Sequence, residues 1–354
     1  MARAKITDPN FMSPKLEVDF LIPGVFERIE NWSLNYTPFP EFKGLEQLLN
    51  LSAVQAFGYQ GYENTLWKLL QTSYVEGDEL PVARQLSASE AGMVCRADPV
   101  HLRADIADLI LVDTAQLDLA AQDCIALEQI IHHHLTEIGG QYTLTEAGQG
   151  VMTFPEVSSL STTPISQVAG RGIQTLMPMG EHQGRWHRLM NEFQMLLHDT
   201  ELNQRRADRG KVPINALWIW GAGQCSEAVA ADYDLLVGGD TFSQGLAQSI
   251  NLPVVGLDDD WAGRGDEARC RILVVSTALL PAAQYDDLSG WLEAMQKLED
   301  SVAELLLDGV QGREISQLRL FPCDGRYFQI KPLQRWQRLF RKRRTLVQQA
   351  ARIA

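Results

Sequence analysis

From Asn215 onward the chain alternates short apolar runs with helical stretches: "ALWIW" leading into Gly221-Ala-Gly223, then "SEAVAA", "LLVGG", "TFSQGLAQSI" and "LPVVGL". Strands that alternate with helices build a parallel sheet covered on both faces, because each crossover lays its helix on the sheet. This rhythm constrains the fold more than any other feature and predicts an α/β architecture. "RCRILVVST" reads as a further buried strand, "LSGWLEAMQKLEDSVAELLLDG" as a helix closed by Gly309, and "ISQLRLFPCDGRYFQI" as a final strand pair with an Asp-Gly turn. Nearer the N-terminus, "KLEVDFLIPGVF" reads as a strand ending at Pro23-Gly24, residues 44–70 as mostly helical around "FGYQGYEN", and 118–135 and 186–199 as amphipathic helices. Residues 153–178, rich in Pro, Ser and Thr, read as an irregular segment.

The chain's 354 residues suffice for one large core with an insertion, or for two domains. No apolar run is long enough to cross a membrane, and "MARAKITDPNFMSPK" lacks the apolar centre of a signal peptide, so the expected location is cytoplasmic. The five cysteines (95, 124, 225, 270 and 323) are scattered and form no CxxC pair, which suits reduced thiols better than a zinc or disulfide framework. The net charge of −14 conceals an asymmetry. The last 29 residues hold nine Lys or Arg and no acid, while the preceding 325 hold 22 Lys or Arg against 45 Asp or Glu, a net −23. In "KPLQRWQRLFRKRRTLVQQAARIA", apolar positions 333, 336, 339, 340, 346 and 347 form a partial helical stripe flanked by arginines. Arg335, Trp336, Arg338, Phe340, Arg341, Lys342, Arg343 and Arg344 are therefore candidates to meet an anionic surface, whether membrane, nucleic acid or acidic protein. Contact at the inner face of a membrane would be peripheral; the competing reading is that the stripe packs on the chain's own acidic body.

Gly221 and Gly223, between a strand and a helix-like stretch, have the form of a phosphate-binding turn, and equally of a tight turn that needs small residues. A Rossmann site is disfavoured because Ser226 replaces the third glycine of GxGxxG, and Asp240 is only a loose match for the ribose partner. Arg96 and Arg206 are candidate anion contacts, since guanidinium forks match phosphate oxygens; pairing with Asp98, Asp113 or Asp208 is the structural alternative. His132, His133 and His134 are consecutive on a helix and point in different directions, and His182, His187 and Glu192 do not share a face, so neither set reads as a metal site. Cys225 reads as a small buried residue.

Three blocks, "CRADPVHL…LILVDTAQLDL", "LNQRRADRGKVPINALWIWGAGQ" and "LAQSINLPVVGLDDDW", resemble in order and spacing the archaeal-type, cofactor-independent phosphoglycerate mutases. Arg96, Asp113, Asn203, Arg206, Gly210, Pro213, Asn215, Trp218, Trp220, Gly221 and Gly223 fall on that family's pattern, over about residues 94–261. The resemblance implies an alkaline-phosphatase-like fold: a doubly wound α/β sheet formed by both chain ends, with a smaller α/β domain inserted. The expected division is 1–85 and 213–330 for the core, 86–212 for the insertion, and 331–354 for a basic amphipathic C-terminal helix. It also implies a site for a phosphorylated small molecule or other anion at Arg96, Asn203, Arg206, Gly221 and Gly223. Family enzymes use two metal ions, manganese or zinc, with a serine that carries the phosphoryl group.

The ends of this chain depart from that pattern. Pro23-Gly24 stands where the family has Asp-Gly, "VVSTALLPAAQYDDLSG" has no histidine, "LFPCDGRYF" replaces an Asp-His pair, and all seven histidines fall between His101 and His198. No metal ligand or catalytic residue is therefore assigned and no cofactor is expected. The expected function is that of a catalytically degenerate mutase-like binding or regulatory protein. The alternative is an active metal-dependent 2,3-bisphosphoglycerate-independent phosphoglycerate mutase or phosphatase, with carboxylates drawn from Asp19, Asp258, Asp259, Asp260, Asp286, Asp287 and Asp324.

Overall fold

The computed structural model describes residues 15–71, 73, 75, 78–85, 92–106, 108–156, 160–223, 232–259, 261, 269–330 and 343–353. Its strands in chain order are β1 (Lys15–Leu21), β2 (Ser52–Gln60), β3 (Met93–Ala104), β4 (Leu109–Val112), β5 (Gln141–Leu144), β6 (Gly150–Phe154) and β7 (Leu160–Ser161). They continue as β8 (Met179–Gly180), β9 (Ala216–Trp220), β10 (Leu235–Gly238), β11 (Val254–Val255), β12 (Arg269–Val275), β13 (Ile315–Phe321) and β14 (Asp324–Ile330).

Two compact units result, one made of residues 1–61 with 230–354 and the other of 62–229. The first carries a seven-stranded sheet in the order β11-β10-β12-β1-β13-β14-β2. The five strands from β11 to β13 are parallel, and β14 and β2 close one side antiparallel. The two ends of the chain thus share one sheet, and residues 62–229 are inserted between them in sequence.

The alternation in "KLEVDFL" decides how β1 sits. Leu16, Val18 and Phe20 enter the main core with Ile272, Val274, Leu318 and Leu320, while Asp19 lies on the opposite face and is also buried. The helices Lys43–Asn50 and Leu288–Leu298 cover the apolar face with Leu45, Leu48, Leu49, Trp291 and Met295. Trp291 is the centre of this layer, with the Trp32, Phe42 and Phe39 rings 5.4, 5.9 and 6.1 Å from it.

The second unit holds an antiparallel sheet, β4-β3-β6-β5, with β9 paired to β3. Here the structure corrects two expectations. "ALWIW" does not enter the parallel sheet; as β9 it runs antiparallel to β3 from Arg96↔Trp220 to Val100↔Ala216, and the insertion extends over 62–229 instead of 86–212. An apolar run buried on both faces looks the same in a parallel sheet and in the middle of an antiparallel one. Residues 52–56, expected to be helical, and 57–60, expected to interrupt the helix, together form the edge strand β2 between the helices Lys43–Asn50 and Tyr62–Leu70.

Candidate functional site

The turn after β9 does meet an anion, and the anion belongs to the chain. The Ala222 N–H donates to Glu79 Oε1 at 3.2 Å and the Thr162 N–H to Glu79 Oε2 at 2.8 Å. The Thr162 hydroxyl also donates to Glu79 Oε1 and accepts from the Gly221 N–H at 2.9 Å. Burial pushes the Glu79 carboxyl above the ordinary glutamate value, against the lowering effect of these donors. Gly223 is required by a close backbone approach: its N–H donates to Leu80 O at 3.0 Å, and a Cβ there would stand 2.0 Å from Glu79 O. Gly223→Ala is therefore expected to destabilise the fold by about 1–3 kcal/mol, since backbone atoms cannot yield as a side-chain tip can. Chemical denaturation checks this, and an unchanged midpoint would mean that the crossing is looser than described.

Arg96 lies on β3 opposite Trp220. Its Nε and Nη2 donate to Asp98 Oδ1 at 3.1 and 2.6 Å, and its guanidinium lies 5.2 Å from the Trp220 ring. Asp98 further accepts from Gly150 N–H at 2.9 Å and Trp220 Nε1 at 2.7 Å. Arg96, Asp98 and Trp220 are all buried, so this cluster ties β3, β6 and β9 together.

Arg206 and Asn203 sit on the helix Glu201–Asp208, which starts at a Thr200 cap. Arg206 is 0% exposed and donates through Nε to Val212 O at 2.9 Å, through Nη1 to Asp123 Oδ2 at 2.7 Å and through Nη2 to Leu117 O at 2.6 Å. Asn203 Nδ2 donates to Leu197 O and Ile214 O, and its Oδ1 accepts the Ile214 N–H, each at 2.8 Å. Asn215 extends the pattern, accepting from Leu102 N–H at 2.7 Å and donating to Leu102 O at 2.9 Å. Of the candidate anion contacts, Gly221 and Gly223 thus share the Glu79 turn, Arg96 adjoins it through Trp220, and Asn203 and Arg206 fasten the 197–214 segment and the helix Ala121–Glu137.

Along the main sheet, Asp19 is the most heavily bonded carboxylate. It accepts from Arg319 Nε at 2.6 Å and from Arg319 Nη2, from Arg271 Nη2 at 3.0 Å and from Tyr233 OH. The remaining candidate carboxylates have separate local duties. Asp259 accepts from Gly256 N–H, Asp286 from Trp32 Nε1, Asp287 from Gly290 N–H as a helix cap, and Asp324 from Arg326 Nε. Asp260 lies outside the described residues. Among the described residues, no three His, Cys, Asp or Glu side chains gather as a metal site.

At the end of β1, Pro23 and Gly24 are buried. Gly24 (φ +83°) packs against backbone, since a Cβ there would lie 2.9 Å from Leu279 C and Leu280 Cα, and Gly24 O accepts from Trp291 Nε1 at 2.9 Å. This edge of a parallel sheet is where α/β folds take ligands. Here a backbone crossing and an indole close the end of β1. Among the described residues, the carboxylates do not fit a two-metal donor set.

The histidines are dispersed as their spacing suggests: His134 Nε2 lies 3.3 Å from Glu192 Oε2, His187 Nε2 bonds Pro178 O at 2.7 Å, and His132 Nδ1 bonds Tyr142 O at 3.0 Å. Cys225 and, in the basic segment, Arg335, Trp336, Arg338, Phe340, Arg341 and Lys342 lie outside the described residues. The expected continuous helix through 347 is not formed: residues 343–345 are non-helical, and a separate helix, Leu346–Ala350, begins at a Thr345/Gln348 capping box. Arg343 is exposed, while Arg344 exchanges backbone hydrogen bonds with the Asn50 side chain at 2.9 and 3.0 Å. Among the described residues, no helix is long and apolar enough to cross a membrane.

Comparison with known proteins agrees with the motif pattern. The chain is 25% identical over 153 residues to the 2,3-bisphosphoglycerate-independent phosphoglycerate mutase of Methanosarcina mazei, covering 43% of this chain and 35% of that protein. It is 22% identical over 203 residues to the corresponding enzyme of Methanosarcina barkeri, covering 54% and 47%. The chain is similar in sequence to phosphoglycerate mutases over about half of its length. The matched part of this mutase-like chain spans less than half the length of these curated relatives. Among solved structures, the cofactor-independent phosphoglycerate mutase of Thermoplasma acidophilum aligns over 90% of both chains at 14% identity, with a TM-score of 0.35. No family profile matches the chain.

Two features of the mutase-like chain escape sequence reading. Glu79 stands 143 positions from Ala222, and Arg319 stands 300 from Asp19. Neither lies in a motif; only the excess of apolar surroundings around "DELPVA" and "QLRLF" hints that these charges are partly buried.

Proposed function

We propose that this mutase-like chain is a catalytically degenerate binding or regulatory protein that retains the framework of the family without its phosphoryl-transfer centre. The observation that carries this reading is the closed end of β1, where the Gly24 backbone crosses Leu279–Leu280 under Trp291. A two-metal mechanism needs oxygen and nitrogen donors converging on open space at that edge. Asp19, the nearest acid on β1, spends both oxygens on Arg319, Arg271 and Tyr233. The second part of the reading is that the basic segment 335–344 meets an anionic surface at a cytoplasmic face. Its support is the segregation of positive charge at the C-terminal end of an acidic chain.

A coupled assay of 3-phosphoglycerate conversion and of phosphatase activity, with manganese or zinc supplied, tests the first part. Turnover is expected to equal that of a metal-only blank. Turnover above the blank that rises saturably with metal would restore the enzyme reading.

A further inference from the structure

We propose that Thr162 and the Gly221-Ala222 amides form a carboxylate-binding site whose resident occupant is the chain's own Glu79, so that a small external monocarboxylate binds there when that side chain is withdrawn. Three donors bond one carboxylate directly, the Thr162 N–H at 2.8 Å, the Ala222 N–H at 3.2 Å and the Thr162 hydroxyl, and the Gly221 N–H donates to the Thr162 hydroxyl at 2.9 Å. Successive amides directed at one point make an anion nest, and the nest selects by shape and charge. A planar carboxylate matches it. A phosphate dianion does not, because Asp78 lines the same cleft of about 190 Å³ and, among the described residues, no Lys, Arg or His lines it.

A second observation points to a ligand bearing acceptor oxygens. Gln167 also lines this cleft, and its Nε2, a donor, is buried without an acceptor among the described residues. A buried donor without a partner costs about 1–3 kcal/mol, so the cleft favours a molecule that brings an oxygen. Glu79 satisfies the nest and leaves Gln167 unsatisfied. A carboxylic acid with a short hydroxylated or keto tail supplies both. Glu79 therefore acts as a built-in competitor: the external acid gains access only as the internal one leaves. This holds independently of whether the chain catalyses phosphoryl transfer, since every group involved lies in the second unit and none at the edge of the main sheet.

The experiment is rescue of Glu79→Ala by carboxylates. Thermal melting of purified wild type and variant is followed in sodium formate, acetate, glycolate, phosphate or chloride at equal ionic strength and neutral pH. The variant is expected to melt several degrees below wild type. Formate, acetate and glycolate are expected to raise it saturably by at least half of the loss, glycolate at the lowest concentration, while wild type stays unmoved. Adding Thr162→Val to the variant is expected to weaken the rescue at least tenfold in half-saturating concentration. Equal recovery in chloride or phosphate, or no recovery in any carboxylate, overturns the proposal. If Glu79→Ala does not fold, refolding yield provides the same readout: recovery in formate and not in chloride supports the site, and equal yields overturn it.

Discussion

Arg206→Ala is expected to lower the free energy of unfolding by about 3–5 kcal/mol, the range found when one member of a buried ion pair is removed. The size follows from what the guanidinium leaves behind. Leu117 O and Val212 O lose their donor, and Asp123, 2% exposed, is left with the half-exposed Arg209 at 2.6 Å and the Ala120 N–H at 3.3 Å. Arg205→Ala, one position away on the same helix, removes only a 3.6 Å surface pair with Glu201 and is expected to cost about 0.5 kcal/mol or less. Urea denaturation of both variants checks the contrast, and equal effects would show that burial of Arg206 is not what matters.

A pH dependence accompanies it. Burial raises the Asp123 carboxyl, and the hydrogen bonds from Arg209, Ala120 N–H and Arg206 outweigh this and hold it below the usual 3.8. A depressed carboxyl contributes stability that is present above the unfolded value and lost as pH falls through the folded one. Wild type should therefore lose stability below about pH 3.8 more steeply than Arg206→Ala. Because the variant disturbs folding, its loss of any ligand or activity could not be read as evidence for an anion contact.

Deletion of everything after Lys331 is the second large effect, expected at roughly 2–4 kcal/mol from lost burial and hydrogen bonds. The contacts of residues 343–353 favour the reading in which the C-terminal end packs on the chain's own body. Leu346 is 0% exposed, and its N–H donates to Glu46 Oε1 at 2.8 Å. Arg326 Nη2 donates to Ala350 O at 2.7 Å, and Arg352 Nη1 reaches Leu49 O at 3.0 Å. These residues strap the helix Lys43–Asn50 to β14.

The association reading is tested without cutting the strap, by replacing Arg335, Arg338, Arg341 and Lys342 with glutamine. Each basic group near an anionic membrane is worth roughly 1 kcal/mol, so vesicle binding at low salt should fall by orders of magnitude with the melting temperature unchanged. Absence of binding to anionic vesicles in the wild type as well would remove the membrane reading.

What the sequence made legible was local. β10 through β14 and the helices Thr241–Ser249 and Leu288–Leu298 follow from apolar runs, periodicity and turn residues within reach of one another. β9 was read into the wrong sheet because Leu217, Trp218 and Ile219 specify burial and not a partner. The Asn203, Arg206 and Asn215 pattern was visible, but spacing alone does not distinguish guanidinium aimed at phosphate from guanidinium aimed at Leu117 O and Val212 O. Glu79 and Thr162 were not visible as a pair, because nothing in "GDELPVAR" or "SLSTTPIS" announces that they share a turn.

The position of β1 has a consequence for synthesis on the ribosome. Its neighbours are β12, where Lys15 pairs with Arg269, and β13, where Leu16 pairs with Ile315. At about 5–20 residues per second, β1 waits on the order of 15–60 s for its second partner to be translated. The antiparallel sheet of the inserted unit has all its strands available before either partner exists. The nascent chain thus carries an already foldable middle while Val18 and Phe20 stay unburied, and that interval is where a chaperone or a protease would act on it.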